Sequence, residues 1–425
     1  MASNTSINLR NATIYQIFTR QFSKTHDFNG ITEKLDIIKK QNIDIIYLLP
    51  IHPIGKLRRK GSLGSPYSIK NYYEINPDLG TIEDFKRLID EAHRRELKVM
   101  LDIVFNHTAH DADYTSTNPE FYYRQADGTF GGRVGDWWDI IDFDFNNNPA
   151  LESELINVLK YWVNFGIDGL RCDVAPLLPL AFWQKARFEL DKINPELIYL
   201  AESVHLSFIK QLRDRGYDVC SDGEMYQVFD ICYDYDIFDE FHDYLNKKKP
   251  LSVWVRSLMK QEAIYPKNYV KLRFLENHDQ NRIGKFIQNP RRLRNYSVLL
   301  YMLKGTTMIY NGQECAAVKT PDLFGPDEID WRNYNKIGLA DIFRKMSRLK
   351  KEAAYQNGIM TIDIIADDAL RFTYKTPDLM VCGIVNLGEC PVYVNIASSG
   401  YDWLSGQPIN AGIRIITEPL VLIAD

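Results

Sequence analysis

Short β-rich runs alternate with helical stretches over most of this chain, and that alternation constrains its fold more than any other feature. Eight runs are predicted to be strands: 13–18, 43–49, 98–105, 169–173, 197–202, 217–221, 271–275 and 306–310. Most are rich in Ile, Leu and Val, which is typical of strands buried on both faces of a parallel sheet. Eight such strands, most of them followed by a helix, predict an α/β fold built on a (β/α)8 TIM barrel.

Helical patterns fill the intervals between the predicted strands. Residues 31–41 carry apolar side chains at helical spacing, and Thr81 followed by Asp84 predicts a capped helix start for 81–95. Further amphipathic helices are predicted at 150–165, 181–192 and 291–304.

Two segments depart from the alternation. Residues 107–148 lack sustained periodicity and are rich in Gly, Asp, Asn and aromatic residues, which indicates a subdomain inserted after the third strand. Farther on, the runs 361–365, 370–374, 380–386, 392–396 and 413–423 alternate with turn residues, which is typical of an antiparallel β domain. The predicted domains are a barrel from 1–106 and 149–349, the insert at 107–148 and a C-terminal β-sandwich at 350–425.

The charge and the cysteine content indicate which binding partners and which cellular compartment to expect. The 425 residues include 51 Lys and Arg against 56 Asp and Glu, so neither nucleic acid nor an anionic membrane is expected as a partner. The polar start lacks a secretory signal, and no apolar run approaches the roughly 20 residues of a membrane span. Six scattered cysteines predict free thiols. We expect a cytoplasmic protein, although a removed signal peptide would leave the same sequence; the oligomeric state stays open.

Carboxylates and histidines stand at the C-terminal ends of five predicted strands. In a TIM barrel all these ends open on one face, so the side chains converge there. Because converging acids repel one another and shift each other's pKa, such a cluster indicates chemistry. The polar residues at these ends are Asp102, Asn106, His107, Arg171, Asp173, Glu202, His278, Asp279 and Glu314.

Two neighbouring strand ends carry carboxyl groups that suit opposite roles. The period of two places Arg171 and Asp173 on the same side of their strand, where the guanidinium can hold Asp173 ionised. Glu202 follows Leu200 and Ala201, and a poorly solvated carboxyl beside another carboxylate keeps its proton near neutral pH. A nucleophilic carboxylate and a proton-donating carboxyl at one face are the arrangement that glycoside hydrolysis requires.

These segments resemble the signature regions of the α-amylase family of glycoside hydrolases. The matching stretches are DIVFNH at 102–107, GLRCD at 169–173, LAES at 200–203 and ENHD at 276–279, the last followed by Asn281 and Arg282. Supporting stretches are GSPY at 64–67, YEINPDLGT at 73–81, DFNNNP at 144–149 and GTTMIYNGQE at 305–314. Each motif alone is weak, but eight in the family's order are a specific signal.

The resemblance implies a role for each matching residue. Asp173 would be the nucleophile, Glu202 the acid/base and Asp279 the third carboxylate, which grips the 2- and 3-hydroxyls of the reacting sugar. The residues that it implies as binding the substrate or supporting the site are Tyr67, Asp102, His107, Arg171, His278 and Arg282. The implied substrate is an α-linked glucose oligosaccharide or polysaccharide.

The implied reaction is retaining hydrolysis of α-glucosidic bonds through a covalent glycosyl-enzyme intermediate, and two alternatives stay open. A transglycosylase would use the same site with a sugar hydroxyl in place of water. A non-catalytic carbohydrate-binding protein would share the fold, although the intact acids argue against it. Fine specificity also stays open, because Ser68, Asn71 and Ser203 depart from residues that many members carry.

The resemblance leaves the metal and the loops less defined. No cofactor is required and no metal site is predicted, with calcium as the less favoured alternative: Asn106 matches a calcium ligand of many members, but its partner carboxylates cannot be identified within 107–148. The aromatic residues of the insert, Trp137 and Trp138 among them, could form its core or stack on sugars. The basic run at 58–60 is predicted to be a solvated loop face.

Overall fold

Strands and helices alternate through most of the chain in the computed structural model, which describes residues 4–424. The strands are β1 Thr13–Ile17, β2 Ile45–Leu48, β3 Lys98–Ile103, β4 His107–Ala109, β5 Ile140–Asp142, β6 Gly169–Cys172, β7 Ile198–Ala201, β8 Ile231–Tyr233, β9 Lys271–Arg273, β10 Thr306–Tyr310, β11 Ile359–Ala366, β12 Ala369–Lys375, β13 Met380–Asn386, β14 Val392–Ile396, β15 Gly400–Asp402, β16 Pro408–Ile409, β17 Gly412–Ile416 and β18 Leu420–Ala424. The α-helices are α1 Thr19–Phe22, α2 Phe28–Thr32, α3 Leu35–Lys40, α4 Ile82–Arg94, α5 Tyr114–Thr117, α6 Pro149–Phe165, α7 Leu180–Leu190, α8 Leu206–Asp214, α9 Asp222–Met225, α10 Phe238–Leu245, α11 Leu251–Ile264, α12 Ile283–Phe286, α13 Pro290–Met302, α14 Leu339–Leu349 and α15 Ala353–Asn357.

Eight parallel strands close into a barrel in the order β1-β10-β9-β8-β7-β6-β3-β2. Their residues are buried, apart from Lys98 at the start of β3, which explains the continuous apolar runs in the sequence. Helix α4 covers the outside through Phe85, Leu88 and Ile89, and the reciprocal capping box of Thr81 with Asp84 starts it as predicted. The predicted TIM barrel is confirmed.

The sixth barrel strand differs from the prediction. Residues 217–221 lie outside any strand, and the strand after β7 is β8. The apolar side chain of Val219 instead packs against Val204 and Leu212, in a small cluster beside α8. Strand β8 has only three residues, between Asp230 and Asp234, which is too short to show a period in the sequence.

Two other predicted elements are divided in the structure. The segment 31–41 is shared between α2 and α3, which are separated at residues 33–34. The segment 413–423 forms two strands that belong to different sheets, β17 with β14 and β18 with β13 and β15. Apolar residues stand on both sides of each break, so the pattern alone reads each pair as one element.

The insert and the C-terminal region surround the barrel at different places. Residues 107–148 leave the barrel after β3 and carry the two-stranded sheet β4-β5. The C-terminal region has a six-stranded sheet, β11-β12-β13-β18-β15-β16, and a hairpin, β14-β17, which pack together through Ile384, Val394 and Ile416. The predicted boundaries coincide with element ends, at β4, α6 and α14; the division into separate domains stays a prediction.

Contacts between α13 and β13 attach the C-terminal sheet to the barrel. Asn295 of α13 accepts a hydrogen bond from the Asn386 N–H at 2.8 Å.

Among the described residues, no helix has both the length and the apolar character needed to cross a membrane. The six cysteines are free thiols, as predicted, with Cys390 exposed and the others buried.

Candidate active site

The C-terminal ends of the barrel strands bring the three predicted carboxylates together around one cavity of about 300 Å³. Asp173 directly follows β6 and Glu202 directly follows β7. The register pairs Cys172 with Ala201, so Asp173 and Glu202 are the next residues along adjacent parallel strands. Such strands lie about 4.8 Å apart, which places the two carboxyl groups side by side.

Arg171 is fully buried, and its guanidinium contacts three carboxyl groups. Nη1 donates to Asp102 Oδ1 at 2.8 Å and to Asp173 Oδ1 at 3.0 Å. Nη2 lies 2.6 Å from Glu202 Oε1 without hydrogen-bond geometry. Glu202 Oε2 accepts a hydrogen bond from the Val174 N–H at 2.8 Å. One planar cation thus offsets three acids and holds Asp173 and Glu202 in fixed positions.

Burial and mutual repulsion perturb the two neighbouring carboxyl groups. Burial raises the pKa of Asp173 well above its usual range, the charge of Glu202 raises it further, and Arg171 opposes both. Burial also raises the pKa of Glu202, again against the charge of Arg171. Because the two groups repel each other when both are ionised, the pair holds one proton over a wide pH range.

His278 contacts two residues that line the cavity, Asp279 and Tyr67. Its Nε2 lies 3.1 Å from Asp279 Oδ2 and 2.6 Å from the Tyr67 hydroxyl, and its Nδ1 lies 3.0 Å from Gln16 Nε2. Burial raises the pKa of Asp279, but the charge and hydrogen bond of His278 outweigh this, so that the pKa is lowered. Asp279, with 41% of its side chain exposed, therefore presents an ionised carboxylate to the cavity.

Asp102 is hydrogen-bonded to Tyr67, which lines the cavity, but does not line the cavity itself. Asp102 is fully buried and accepts hydrogen bonds from Arg171, from the Tyr47 hydroxyl and, at 3.0 Å, from the Tyr67 hydroxyl. The Tyr67 ring lines the cavity and packs parallel to the ring of His278, with 5.4 Å between centroids. Through these hydrogen bonds, Asp102 fixes the positions of Arg171, Tyr47 and Tyr67.

His107 lines the cavity from the first strand of the insert. Its ring lies 5.7 Å from that of Trp137, another lining residue. Burial lowers the pKa of His107 to about 4, so the imidazole is neutral near pH 7. A neutral ring can both donate and accept a hydrogen bond, which suits a sugar hydroxyl.

Arg282 departs from its predicted place at the substrate. It is 3% exposed, and its Nη1 donates to Glu276 Oε1 at 2.7 Å and to the Asn311 carbonyl at 2.9 Å. Glu276 Oε2 accepts a hydrogen bond from the Ile283 N–H at 2.7 Å. The structure therefore assigns Arg282 to the support of the loop after β9 and not to the cavity lining.

Asn106, the residue that matches a calcium ligand of many family members, lies beside a carboxylate of the insert. Its Nδ2 lies 3.4 Å from Asp142 Oδ1, an insert carboxylate that the sequence did not identify. Asp142 also accepts a hydrogen bond from the Arg133 N–H at 2.7 Å, and burial raises its pKa to about 6. Calcium takes about six to eight oxygen ligands. Within residues 4–424, no three His, Cys, Asp or Glu side chains are grouped to hold a metal.

Loops add cavity residues that the sequence did not indicate. Lys60, expected on a solvated face, lines the cavity, and its Nζ lies 2.7 Å from Asp139 Oδ1. Phe324, in the loop after β10, lines it as well. Of the insert aromatics, Trp137 faces the cavity and Trp138 is 53% exposed. These residues lie in segments without periodicity, so no local signal could have found them.

A second cavity of about 530 Å³ adjoins the first. The two share Trp137, Val174, Glu202 and Asp279 as lining residues. The second cavity is also lined by residues that do not line the first, among them His205, Phe208, Tyr235 and Asp239. Glu202 thus lines both of two adjoining cavities.

Comparisons with known proteins agree with this arrangement. The family model for the catalytic domain of α-amylase matches residues 16–127 and 139–357. The crystal structure of an α-amylase from Lactobacillus plantarum has 38% sequence identity and a TM-score of 0.94, over 99% of this chain and all of that one. The crystal structure of a maltogenic α-amylase from Thermotoga neapolitana has 31% identity and a TM-score of 0.86, over 98% and 99% of the two chains. The sequence of Alpha-amylase 3 from Dictyoglomus thermophilum is 26% identical over 360 residues, 76% of this chain and 68% of that relative.

Proposed function

The chain belongs to the α-amylase family of glycoside hydrolases, and we propose that it hydrolyses α-glucosidic bonds of α-glucans or maltooligosaccharides with retention of the anomeric configuration. One observation carries the proposal: a single buried guanidinium, that of Arg171, contacts both Asp173 and Glu202 at the ends of adjacent strands. Retaining enzymes need their two carboxyl groups about 5–5.5 Å apart, whereas inverting enzymes leave room for a water. Side-by-side carboxyls on one cation favour the shorter spacing.

In the first step, Asp173 attacks C1 of the sugar bound in the 300 Å³ cavity. The bond between C1 and the glycosidic oxygen breaks, and Glu202 transfers its proton to that oxygen as the leaving group departs. A glycosyl ester on Asp173 results, with Glu202 now ionised. This step starts with Asp173 ionised and the proton on Glu202, and the hydrogen bond that Arg171 donates to Asp173 supports the negative charge there.

In the second step, water enters the space that the leaving group has vacated. Glu202 removes one proton from this water, whose oxygen attacks C1 while the ester bond to Asp173 breaks. Two inversions restore the starting anomer, and both carboxyl groups return to their resting charges. The ionised Asp279 suits hydroxyl groups of the same sugar, since a carboxylate accepts hydrogen bonds from two neighbouring O–H donors.

The test is a substrate panel followed by stereochemistry. p-Nitrophenyl α-glucoside, maltooligosaccharides, isomaltose, pullulan and starch are incubated with the protein, and the products are separated by size. Proton NMR during early hydrolysis should show the α-anomer first, and a 5-fluoro glycosyl fluoride should label Asp173. Appearance of the β-anomer first, or a label on another residue, would refute the assignment.

Transfer to a sugar acceptor is a second candidate, which the 530 Å³ cavity favours. This cavity adjoins Glu202 and offers aromatic rings from Phe208 and Tyr235, on which a sugar acceptor could stack. A sugar hydroxyl would replace water in the second step, with the same covalent intermediate. Longer products at high donor concentration distinguish transfer from hydrolysis.

A further inference from the structure

Each of the two cavities would hold the part of a glucan chain that lies on one side of the bond to be broken. A proton donor must face the leaving group, and the 530 Å³ cavity is lined by Glu202 but not by Asp173. The 300 Å³ cavity is lined by Asp173, Tyr67 and His107, and therefore takes the sugar whose C1 is attacked. Since C1 of that sugar belongs to the broken bond, this donor cavity holds the non-reducing side of the substrate.

Lys60 bridges two walls of the donor cavity. Its Nζ lies 2.7 Å from Asp139 Oδ1 and 5.3 Å from the ring centre of Trp138, both on the insert. It also lies 5.8 Å from the ring centre of Phe324, in the loop after β10. We call Lys60, Trp138, Asp139 and Phe324 the donor barrier. A cation between two aromatic faces and a carboxylate is held by all three.

The ion pair of the donor barrier is largely shielded from solvent, whereas Trp138 is 53% exposed. The side chain of Asp139 is 6% exposed and that of Lys60 21%, unlike lysines that extend freely into solvent. The loop that carries Lys60 is bound to the opposite wall, because the Leu63 N–H donates to the Phe324 carbonyl at 2.9 Å. A Cβ on Gly61 would approach the same carbonyl oxygen to 2.5 Å, so the two loops touch without a gap.

We propose that the donor barrier closes the donor half of the cleft, so that the protein attacks α-glucans from their non-reducing ends. This inference rests on the proposed function and adds the direction of attack. Cleavage within a chain would require the glucan to continue past the donor cavity, which Lys60 and Phe324 line from two loops that touch each other. A chain end needs no such passage.

The Lys60 ammonium also suits the terminal sugar. It carries three N–H donors, of which one faces Asp139 and one the Asp136 carbonyl, at 3.4 Å. The third can bind a hydroxyl of the sugar at the chain end. Lys60 would thus exclude longer donors by its bulk and select chain ends by its remaining hydrogen bond.

The experiment compares p-nitrophenyl maltoheptaoside with the same substrate carrying a 4,6-acetal on its non-reducing end. The free substrate should be cleaved at least about tenfold faster by kcat/KM, since pockets discriminate against added carbon atoms by about 10–200-fold. The variants Lys60→Ala and Phe324→Ala should bring the ratio close to one by accelerating cleavage of the blocked substrate. Phe324→Ala leaves the ion pair of Lys60 with Asp139 intact and so guards against disruption of the loop.

Lys56→Ala is the matched control, since Lys56 is an exposed lysine of the same loop and does not line the cavity. It should leave the ratio unchanged. Equal cleavage of the two substrates by the wild-type protein would overturn the donor barrier while leaving the proposed function intact. Unchanged ratios in both folded barrier variants would overturn it as well. Failure to cleave any α-glucoside would instead refute the proposed function.

Discussion

Replacement of Glu202 by Gln should separate proton donation from every other contribution of this side chain. The glutamate has 8% of its side chain exposed and is fixed at both oxygens, by the Val174 N–H and by Arg171. Glutamine keeps the size and the carbonyl oxygen but has no acidic proton. On natural glycosides the first step should slow by about 10²–10⁴-fold, which is the usual contribution of general acid catalysis.

The substitution also has a second energetic cost, which is independent of proton donation and which the assay must separate from it. A glutamine amide has one oxygen, so its NH₂ group must face either the Val174 N–H or the guanidinium of Arg171, and both are donors. That mismatch costs about 1–3 kcal/mol, as for a polar group left without a partner. It applies equally to every substrate with the same donor sugar. The loss of the proton, at 1.36 kcal/mol per tenfold change, amounts to about 2.7–5.4 kcal/mol and falls mainly on poor leaving groups.

The assay is therefore a ratio measured within one variant. First-step rates are compared for maltosides with an alcohol leaving group and with an activated phenol or fluoride. Glu202→Gln should slow the alcohol substrate far more than the activated one. Glu196→Gln, an exposed glutamate ahead of β7 at the other end of the barrel, serves as the control and should change neither rate.

The pH profile gives an independent check with a defined sign. A general acid works only while protonated, so wild-type activity should fall as the pH rises through the pKa of Glu202, which burial raises. In Glu202→Gln, that alkaline fall should be absent for activated substrates. Equal losses on both leaving groups, or an alkaline limb that survives in the variant, would refute the role of Glu202 as proton donor.

Three further expectations concern other parts of the molecule. Asp173→Asn should abolish nearly all turnover while substrate binding, measured by calorimetry, persists; a variant that keeps turnover would exclude Asp173 as the nucleophile. Asp367→Ala and Asp368→Ala should leave kcat intact, since the C-terminal region supplies no cavity residue, but Asp368→Ala should lower the free energy of unfolding by about 1–3 kcal/mol because Asp368 accepts a hydrogen bond from Tyr244 at 2.8 Å. A hundredfold loss of kcat in either folded variant would contradict this. Treatment with a calcium chelator should leave activity and Tm unchanged, since the Asn106 amide makes its own hydrogen bond to the Asp142 carboxylate, and a fall in Tm that added calcium reverses would contradict this expectation.

Much of the barrel could be predicted because its strands and helices carry local signals. Strand β10 has the predicted bounds, and α4 begins at its predicted cap, since burial on both faces and capping are visible in short windows. Strand β8 was misplaced because three residues show no period, and because Val219 packs in a loop cluster that imitates a strand. The error came from an apolar residue that packs against Val204 and Leu212 in a loop cluster and not within the barrel sheet.

The residues of the site also divide into those that local sequence signals predict and those that they do not. Asp173, Glu202 and Asp279 could be predicted, because the first two directly follow strands, the third lies in the loop after β9, and all such ends meet on one face of a barrel. Arg282 could not, because its partner is decided by the loop conformation that brings Glu276 within 2.7 Å. The position of a residue on a strand is a local property, whereas the partner of a loop side chain is not.

The sequence by itself determined the fold class, the place of the carboxylates and the family. The tertiary structure decided how the cleft is bounded, through Lys60, Asp139 and Phe324, which lie far apart in the chain and meet only in the fold. It also decided that the pKa values of Asp173 and Glu202 are raised, because burial and the shared contact with Arg171 depend on the packed environment. Periodic patterns report short-range conformation, and the chemistry of a cleft depends on long-range packing that no such pattern encodes.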